Sequence, residues 1–411
     1  MPRFSRGYNQ ISSLQPILKD MNNIKDEVGA FINQDCQIHS HVSGPLSNLR
    51  FGLKDIFDVQ GFPTGFGNPT WLKTHPIATK TNSAVQRLID AGASLVGKTH
   101  CDELTYNLFG NNYHYGTPTN SASPLRMTGG SSNGSAAAMS ANLVDFAIGS
   151  DTGGSVRAPA SFCGLHGIRP THGRIPLDNS CGLAPSFDTL GWFTKDASLL
   201  RIIGEVIFGE VSKKITQVPR FVYLKEAFEV IHPDLRILLK NTFSQFGEFQ
   251  EVSIGNESLS EWADQFRVLQ GSQIWHNLGP WVTEHLDGIS PSVKARFEIA
   301  KNLSEEQINF AKTRWPQITK VVYDLLTPET VLVLPTVAGI APLLTADLAE
   351  LEAYRKVCFQ LLSISGLCGT PQIHLPLMQY EGAPIGISII GAKNTDLDLL
   401  ATAEFLSLGH S

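Results

Sequence analysis

Two short segments constrain this chain more than anything else in it: Thr128-Gly129-Gly130-Ser131-Ser132-Asn133-Gly134-Ser135 and Asp151-Thr152-Gly153-Gly154-Ser155-Val156-Arg157. Paired glycines let a backbone bend sharply and approach a bound molecule closely, and in each segment a serine follows the pair directly. A serine hydroxyl is a poor nucleophile until a base takes its proton. A lysine kept neutral by burial can be that base, and Lys54 stands upstream in Phe51-Gly52-Leu53-Lys54-Asp55.

The chain around these segments is long enough for one large α/β domain or two smaller ones, at 411 residues. Hydrophobic residues make up 42% and charged residues 17%, a balance that buries a core and argues against disorder. The net charge is −6, with no basic block, which excludes nucleic acid and anionic membranes as expected partners. Six cysteines (Cys36, Cys101, Cys163, Cys181, Cys358 and Cys368) are scattered without a CxxC pair, so reduced thiols and a cytoplasmic location are expected. No signal peptide is read in the first residues, and no apolar run approaches the roughly 18 residues that a membrane helix needs.

Residues 1–45 read as a polar N-terminal arm with a helix over Leu14 to Ile32, and residues 46–411 as one large domain. From about 50 to 200, apolar runs alternate with helical patterns: helix Ser83 to Ala91, strand Ser94 to Gly97, helix Ala136 to Leu143, strand Val144 to Ile148. Such alternation predicts a mixed or parallel sheet covered by helices. From about 205 to 325, amphipathic spacing (Leu235, Leu238, Leu239, Phe243) predicts a helical segment beside that sheet. Strands return at Val331 to Leu334 and Ile385 to Ile390.

Two motifs mislead. Gly92-Ala93-Ser94-Leu95-Val96-Gly97-Lys98-Thr99 matches a phosphate-binding loop by letter, but that loop needs a strand before it and a helix opening at its lysine. Here a helical pattern comes first and the apolar middle reads as a strand, so no nucleotide is expected. Gly130-Ser131-Ser132-Asn133-Gly134 fits the nucleophile elbow of serine hydrolases, with Ser132 at its tip and a histidine as base. The elbow needs a preceding strand, and Pro124 makes Ser121 to Arg126 a poor one. This esterase reading stands as the rival. Neither His39-Ser40-His41 nor His100-Cys101-Asp102-Glu103 has metal-ligand spacing, so no metal or other cofactor is expected.

In the constellation that fits, Ser155 follows the apolar Phe146-Ala147-Ile148, and the backbone N–H groups of Thr152, Gly153, Gly154 and Ser155 can converge on one oxyanion. Arg157 is placed to pair with Asp151 and lock the loop, while Pro159 is expected to keep a helix from starting at the serine. Ser131 is either part of a helix-start loop or a bridge that relays a proton between Ser155 and Lys54.

These segments, with Lys54 upstream, resemble the amidase signature family. The likeness runs from about residue 45 to 200 and resumes through Leu334-Pro335-Thr336 and Gly366-Leu367-Cys368-Gly369-Thr370-Pro371 to Gly391. Lys54-Asp55-Ile56-Phe57-Asp58-Val59, Thr64-Gly65-Phe66-Gly67-Asn68-Pro69 with Trp71, His114-Tyr115-Gly116-Thr117-Pro118 and Ser186-Phe187-Asp188-Thr189 are most similar to the plant-type group acting on indole-3-acetamide. The resemblance implies a large mixed sheet sandwiched by helices and a Ser–cis-Ser–Lys triad. Ser155 is then the nucleophile, Ser131 the bridge after a cis peptide at Gly130, and Lys54 the base. Gly130, Ser132, Asp151 and Arg157 support the loops, and the oxyanion hole falls on Thr152 to Ser155. Asn133, Thr128 and Ser121 depart from the family pattern, which bears on loop geometry and not on catalytic groups.

The implied reaction is hydrolysis of a linear, primary carboxamide, with a small-molecule amide and at most a second copy of the chain as partners. Phe187, Trp275 and Trp281 are candidates to line an apolar acyl pocket for an arylacetamide, and the scarcity of arginine near the motifs argues against an anionic acyl group. The alternative within the family is the glutaminase subunit of a tRNA-dependent amidotransferase.

Overall fold

Most runs read as strands pair into one sheet. The computed structural model describes residues 24–408 apart from 214, 216–218 and 248. Its strands are β1 (Phe31–Asn33), β2 (Arg50–Lys54), β3 (Ser94–Thr99), β4 (Phe146–Asp151), β5 (His166–Arg169), β6 (Thr189–Thr194), β7 (Arg220–Leu224), β8 (Gln250–Val252), β9 (Thr330–Pro335), β10 (Gln372–Tyr380) and β11 (Ala383–Ile390). Among the described residues they form a single 11-stranded sheet in the order β1-β3-β2-β4-β6-β5-β10-β11-β9-β7-β8. Pairing is parallel among β3, β2 and β4 and among β9, β7 and β8, and antiparallel through the middle. This is one α/β domain with a mixed sheet.

Side chains alternate across a strand, and both faces here are covered. Phe146 and Ile148 of β4 join one apolar cluster with Trp192 of β6, whereas Ala147 and Phe193 join a second with Val156 and the alanines of the helix Asn133–Ser140. Phe51 and Phe146 stack across β2 and β4 at 5.1 Å between ring centres. Gly149 of β4 is required by close approach: a side chain there would meet the Ser132 hydroxyl.

Several expectations are corrected. Of the expected helix Leu14 to Ile32, residues 1–23 lie outside the described residues; Phe31 is in a strand, and β1 pairs with β3. The segment 205–325 is not purely helical. Its helices Leu259–Glu284, Pro291–Lys301 and Glu305–Leu325 lie beside the sheet, but β7 and β8 extend the sheet edge because Phe221-Val222-Tyr223-Leu224 is an apolar β-favouring run that pairs with β9. The expectation for Pro159 is met: no helix starts at Ser155, and the next one opens two residues on, at Arg157. Pro159 occupies its first turn, where an N–H has no intrahelical acceptor to lose.

The apparent phosphate-binding loop is β3 itself. Lys98 is fully buried, 3.2 Å from the Asp55 carboxylate, and donates to the Pro63 carbonyl and the Thr64 hydroxyl. Removing one partner of a buried ion pair strands the other charge. Lys98→Ala should therefore destabilise the fold by about 3–5 kcal/mol, read as a lowered denaturant midpoint; an unchanged midpoint would contradict the assignment.

Candidate active site

β2 and β4 run parallel with Leu53 opposite Ile148, so their carboxyl ends emerge side by side. Lys54 ends β2, and Ser150 and Asp151 end β4. Carboxyl ends of neighbouring parallel strands are where open α/β sheets place ligands. The Lys54 ammonium nitrogen lies 2.8 Å from the Ser131 hydroxyl and 2.8 Å from the Ser150 hydroxyl, and the side chain is wholly buried. Burial pushes its pKa down to about 8, against the pull of Cys101, Asp102, Asp151 and Asp188. Desolvation wins, and the amine is substantially neutral at mildly alkaline pH.

Ser131 is presented by a clamped turn. The Gly130–Ser131 peptide is cis. Gly129 and Gly130 donate to the Phe109 and Leu108 carbonyls at 3.2 and 2.8 Å, and the Ser131 carbonyl accepts from Asp102 N–H at 3.1 Å. The helix Asn133–Ser140 starts immediately after. Asn133 is its first residue and not left-handed; its amide donates to the Gly110 carbonyl at 3.0 Å and sits 2.9 Å from His100 Nδ1, so it fastens the loop by side-chain bonding.

The Ser155 loop is held from behind by Asp151. That carboxylate is fully buried, yet it accepts from Arg157 Nε and Nη2 at 2.9 and 2.7 Å, from Arg169 at 3.2 Å, and from the N–H groups of Gly154 and Val156 at 2.9 and 3.1 Å. Burial alone would raise its pKa, but the two guanidiniums hold it well below the usual carboxylate range. Arg157 continues to the Leu362 carbonyl and Gln372, tying the loop to the helix Leu348–Cys368 and to β10. The Asp151–Arg157 pairing expected from the sequence is present.

Ser155 lines a cavity of about 600 Å³ together with Thr152 and Gly153. The Gly154 N–H already donates to Asp151. Of the four expected oxyanion donors, Thr152, Gly153 and Ser155 are those without a bonding partner among the described residues. The Thr152 hydroxyl donates to Asp188 at 2.6 Å. The Ser155 and Ser131 hydroxyls make no direct hydrogen bond with each other, as is common before a substrate tightens a site.

The geometry argues against Ser132 as an elbow nucleophile. Its hydroxyl is fully buried between the Ser150 carbonyl and N–H at 3.2 and 3.3 Å, it does not line the cavity, and no strand precedes it. It supports the loop. Nor do the three aromatics line the cavity. Phe187 is buried against Phe266 and Trp315, Trp281 stacks on His285, and Trp275 lies under Lys301. These are packing positions, as large apolar side chains usually are. Tyr106, Val268 and Phe359 form apolar wall instead, with Arg267, Arg296 and Arg355 beside them, so the expected scarcity of arginine fails in three dimensions. Ser150, Arg169 and these arginines were not singled out from the sequence, and Asp188 entered only as part of the Ser186-Phe187-Asp188-Thr189 segment. Ser150 adjoins the second glycine segment, so it too sits near a signal.

A protein-family model described as Amidase matches residues 30–252. "Amidase 1" of Arabidopsis thaliana is 36% identical over 93% of this chain and 98% of that protein. "Translocon at the outer membrane of chloroplasts 64" of Pisum sativum is 34% identical over 88% of this chain and 66% of its own length. A solved structure titled "Crystal structure of amidase" superposes with a TM-score of 0.81 at 30% identity, covering 90% of this chain and 86% of that one.

Gly154 has φ of +121° and faces Leu362 where a Cβ would stand. Gly154→Ala should cost about 1–3 kcal/mol of stability, measured by denaturant unfolding. A variant as stable as the parent would show that the loop is not locked as described.

Proposed function

Since the chain belongs to the amidase family, we propose that it hydrolyses a linear, primary carboxamide to a carboxylate and ammonia through an acyl-enzyme on Ser155. The single observation that carries this reading is the buried amine of Lys54 held 2.8 Å from Ser131, one loop away from a serine that opens onto the cavity.

The chemistry follows from the protonation states. Neutral Lys54 donates one N–H to Ser150 and turns its lone pair to the Ser131 hydroxyl. Ser131 passes its proton to Lys54 while taking the proton of Ser155, whose oxygen bonds to the amide carbon. The carbonyl oxygen becomes an oxyanion between the N–H groups of Thr152, Gly153 and Ser155, donors fixed before reaction and therefore effective. The proton returns through Ser131 to the leaving nitrogen, and ammonia departs. Water then attacks the Ser155 ester along the same relay and regenerates the hydroxyl. The Asp151–Arg157–Arg169 cluster keeps the donors aimed without joining the proton path. No step calls on a metal or cofactor.

An arylacetamide acyl group draws its support from the likeness to Amidase 1 and from the apolar wall of Tyr106, Val268 and Phe359. The six cysteines are all unpaired, which supports a reducing compartment such as the cytoplasm. Among the described residues no helix is long and apolar enough to cross a membrane.

Ser155→Ala and Lys54→Ala should each lower kcat/KM for a primary amide by at least about a thousandfold, as members of one catalytic unit do. Ser132→Ala should keep activity within about tenfold, losing mainly the two buried hydrogen bonds of its hydroxyl with the Ser150 backbone. The opposite ranking would return the nucleophile to Ser132. Ammonia release by the purified chain alone separates this reading from a glutaminase subunit, which would need partners.

The pH dependence has a definite sign. The base works when neutral, and burial lowers its pKa to about 8. The free-enzyme profile of kcat/KM should therefore rise with pH and level off above about 8. A rate that falls as pH rises from 6 to 8 would contradict a lysine base.

A further inference from the structure

The Ser131 turn touches two buried titratable groups. One is the Lys54 amine, 2.8 Å from the Ser131 hydroxyl. The other is Asp102, a fully buried acid that the proton path above does not use. Its Oδ2 accepts from Gly110 N–H at 3.2 Å and packs so closely on Gly130 that a Cβ there would meet it. Its own N–H donates to the Ser131 carbonyl at 3.1 Å. Asp102 Oδ1 has no hydrogen-bond partner, and among the described residues the carboxyl forms no ion pair. Fastening Gly110 N–H needs an acceptor and not a charge, so that bond alone does not account for an acid here.

The groups around Lys54 differ in what they can offer it. Cys101, Asp102, Asp151 and Asp188 all favour its charged form. Burial pushes the Cys101 thiol well up, so it stays uncharged in the neutral range. Asp151 is already matched by Arg157 and Arg169. Both oxygens of Asp188 are engaged by the Thr152 hydroxyl and the N–H groups of Leu183 and Ala184. Of the three carboxylates, Asp102 is the one that keeps an oxygen without a partner. Burial raises its pKa to about 6, while Gly110 N–H and then the charges of Lys54, Arg296 and Arg355 pull it down. Asp102 is therefore ionised at the pH where the relay runs. In that relay Lys54 passes from neutral to charged inside a buried site, a step that a nearby unmatched anion favours.

We propose that Asp102 is a positioning residue of the relay: it fastens the Ser131 turn and supplies the counter-charge as Lys54 takes up its proton. This deepens the amide-hydrolase reading above and rests on it. Asp102 does not line the cavity, so it acts through Ser131 and Lys54 and not on the substrate.

Asp102→Asn keeps the shape of the side chain and removes its charge. With the anion gone, the charged form of Lys54 is less favoured and its midpoint falls. In the purified full chain labelled with 13C at lysine Cε, the Lys54 midpoint should drop by at least about half a pH unit. The rising limb of kcat/KM should move to lower pH with it, and the plateau should fall at least about tenfold, because the base is weaker. A purely structural Asp102 predicts less active protein with both midpoints unmoved, and an unmoved Lys54 midpoint overturns the proposal. If Asp102→Asn does not fold, the reciprocal shift decides with Asp102 in place. Followed by 13C at aspartate Cγ, the Asp102 midpoint should rise by at least about half a unit from the parent to Lys54→Met, since a neighbouring cation is lost. No rise there overturns the proposal as well. If no amide is hydrolysed, the amidase reading fails separately, and the two titrations still decide whether Asp102 and Lys54 are coupled.

Discussion

Everything at this site depends on an amine excluded from water. The parallel ends of β2 and β4 bring Lys54 against Ser150, and the Ser131 turn closes over it. Four acidic or thiol groups surround the lysine and favour its charged form, yet desolvation outweighs them. A solvated lysine would remain an ammonium at neutral pH and accept nothing. The sheet register and the tightness of the loops over it thus set the protonation state that the proposed chemistry uses.

The second support is the separation of charge management from proton transfer. Asp151 is a short distance from the reacting groups, but its lone pairs are engaged by Arg157, Arg169 and backbone N–H groups, which keeps it ionised and rigid. Fixed there, it shapes the loop carrying Thr152, Gly153 and Ser155. The cost of burying these ions falls on the fold; in the proposed reaction the benefit is a set of donor groups already aimed before a substrate arrives.

The part of the site written in contiguous residues was legible. Glycine pairs mark backbone that must turn tightly, and serines following them, with Lys54 after an apolar run, suggest the relay from sequence alone; both strand and helix around the phosphate-loop look-alike are also readable. What escaped was whatever three dimensions assemble from distant segments. Ser150 looked like an ordinary strand residue until Lys54 stood beside it. Arg267, Arg296 and Arg355 are spread over three helices, and each looks like a surface charge alone. Phe187, Trp275 and Trp281 were drawn to the site by residue type, yet packing claimed them. Strands β7 and β8 were hidden because short strands set between helices carry little periodic signal.

The state of Lys54 can be observed directly. In protein labelled with 13C at lysine Cε, and assigned through Lys54→Met, the Lys54 resonance should titrate with a midpoint near 8, well below the surface lysines. A midpoint with the surface lysines, near about 10.4, would mean that the amine is charged throughout the neutral range, and the account of this site would be wrong.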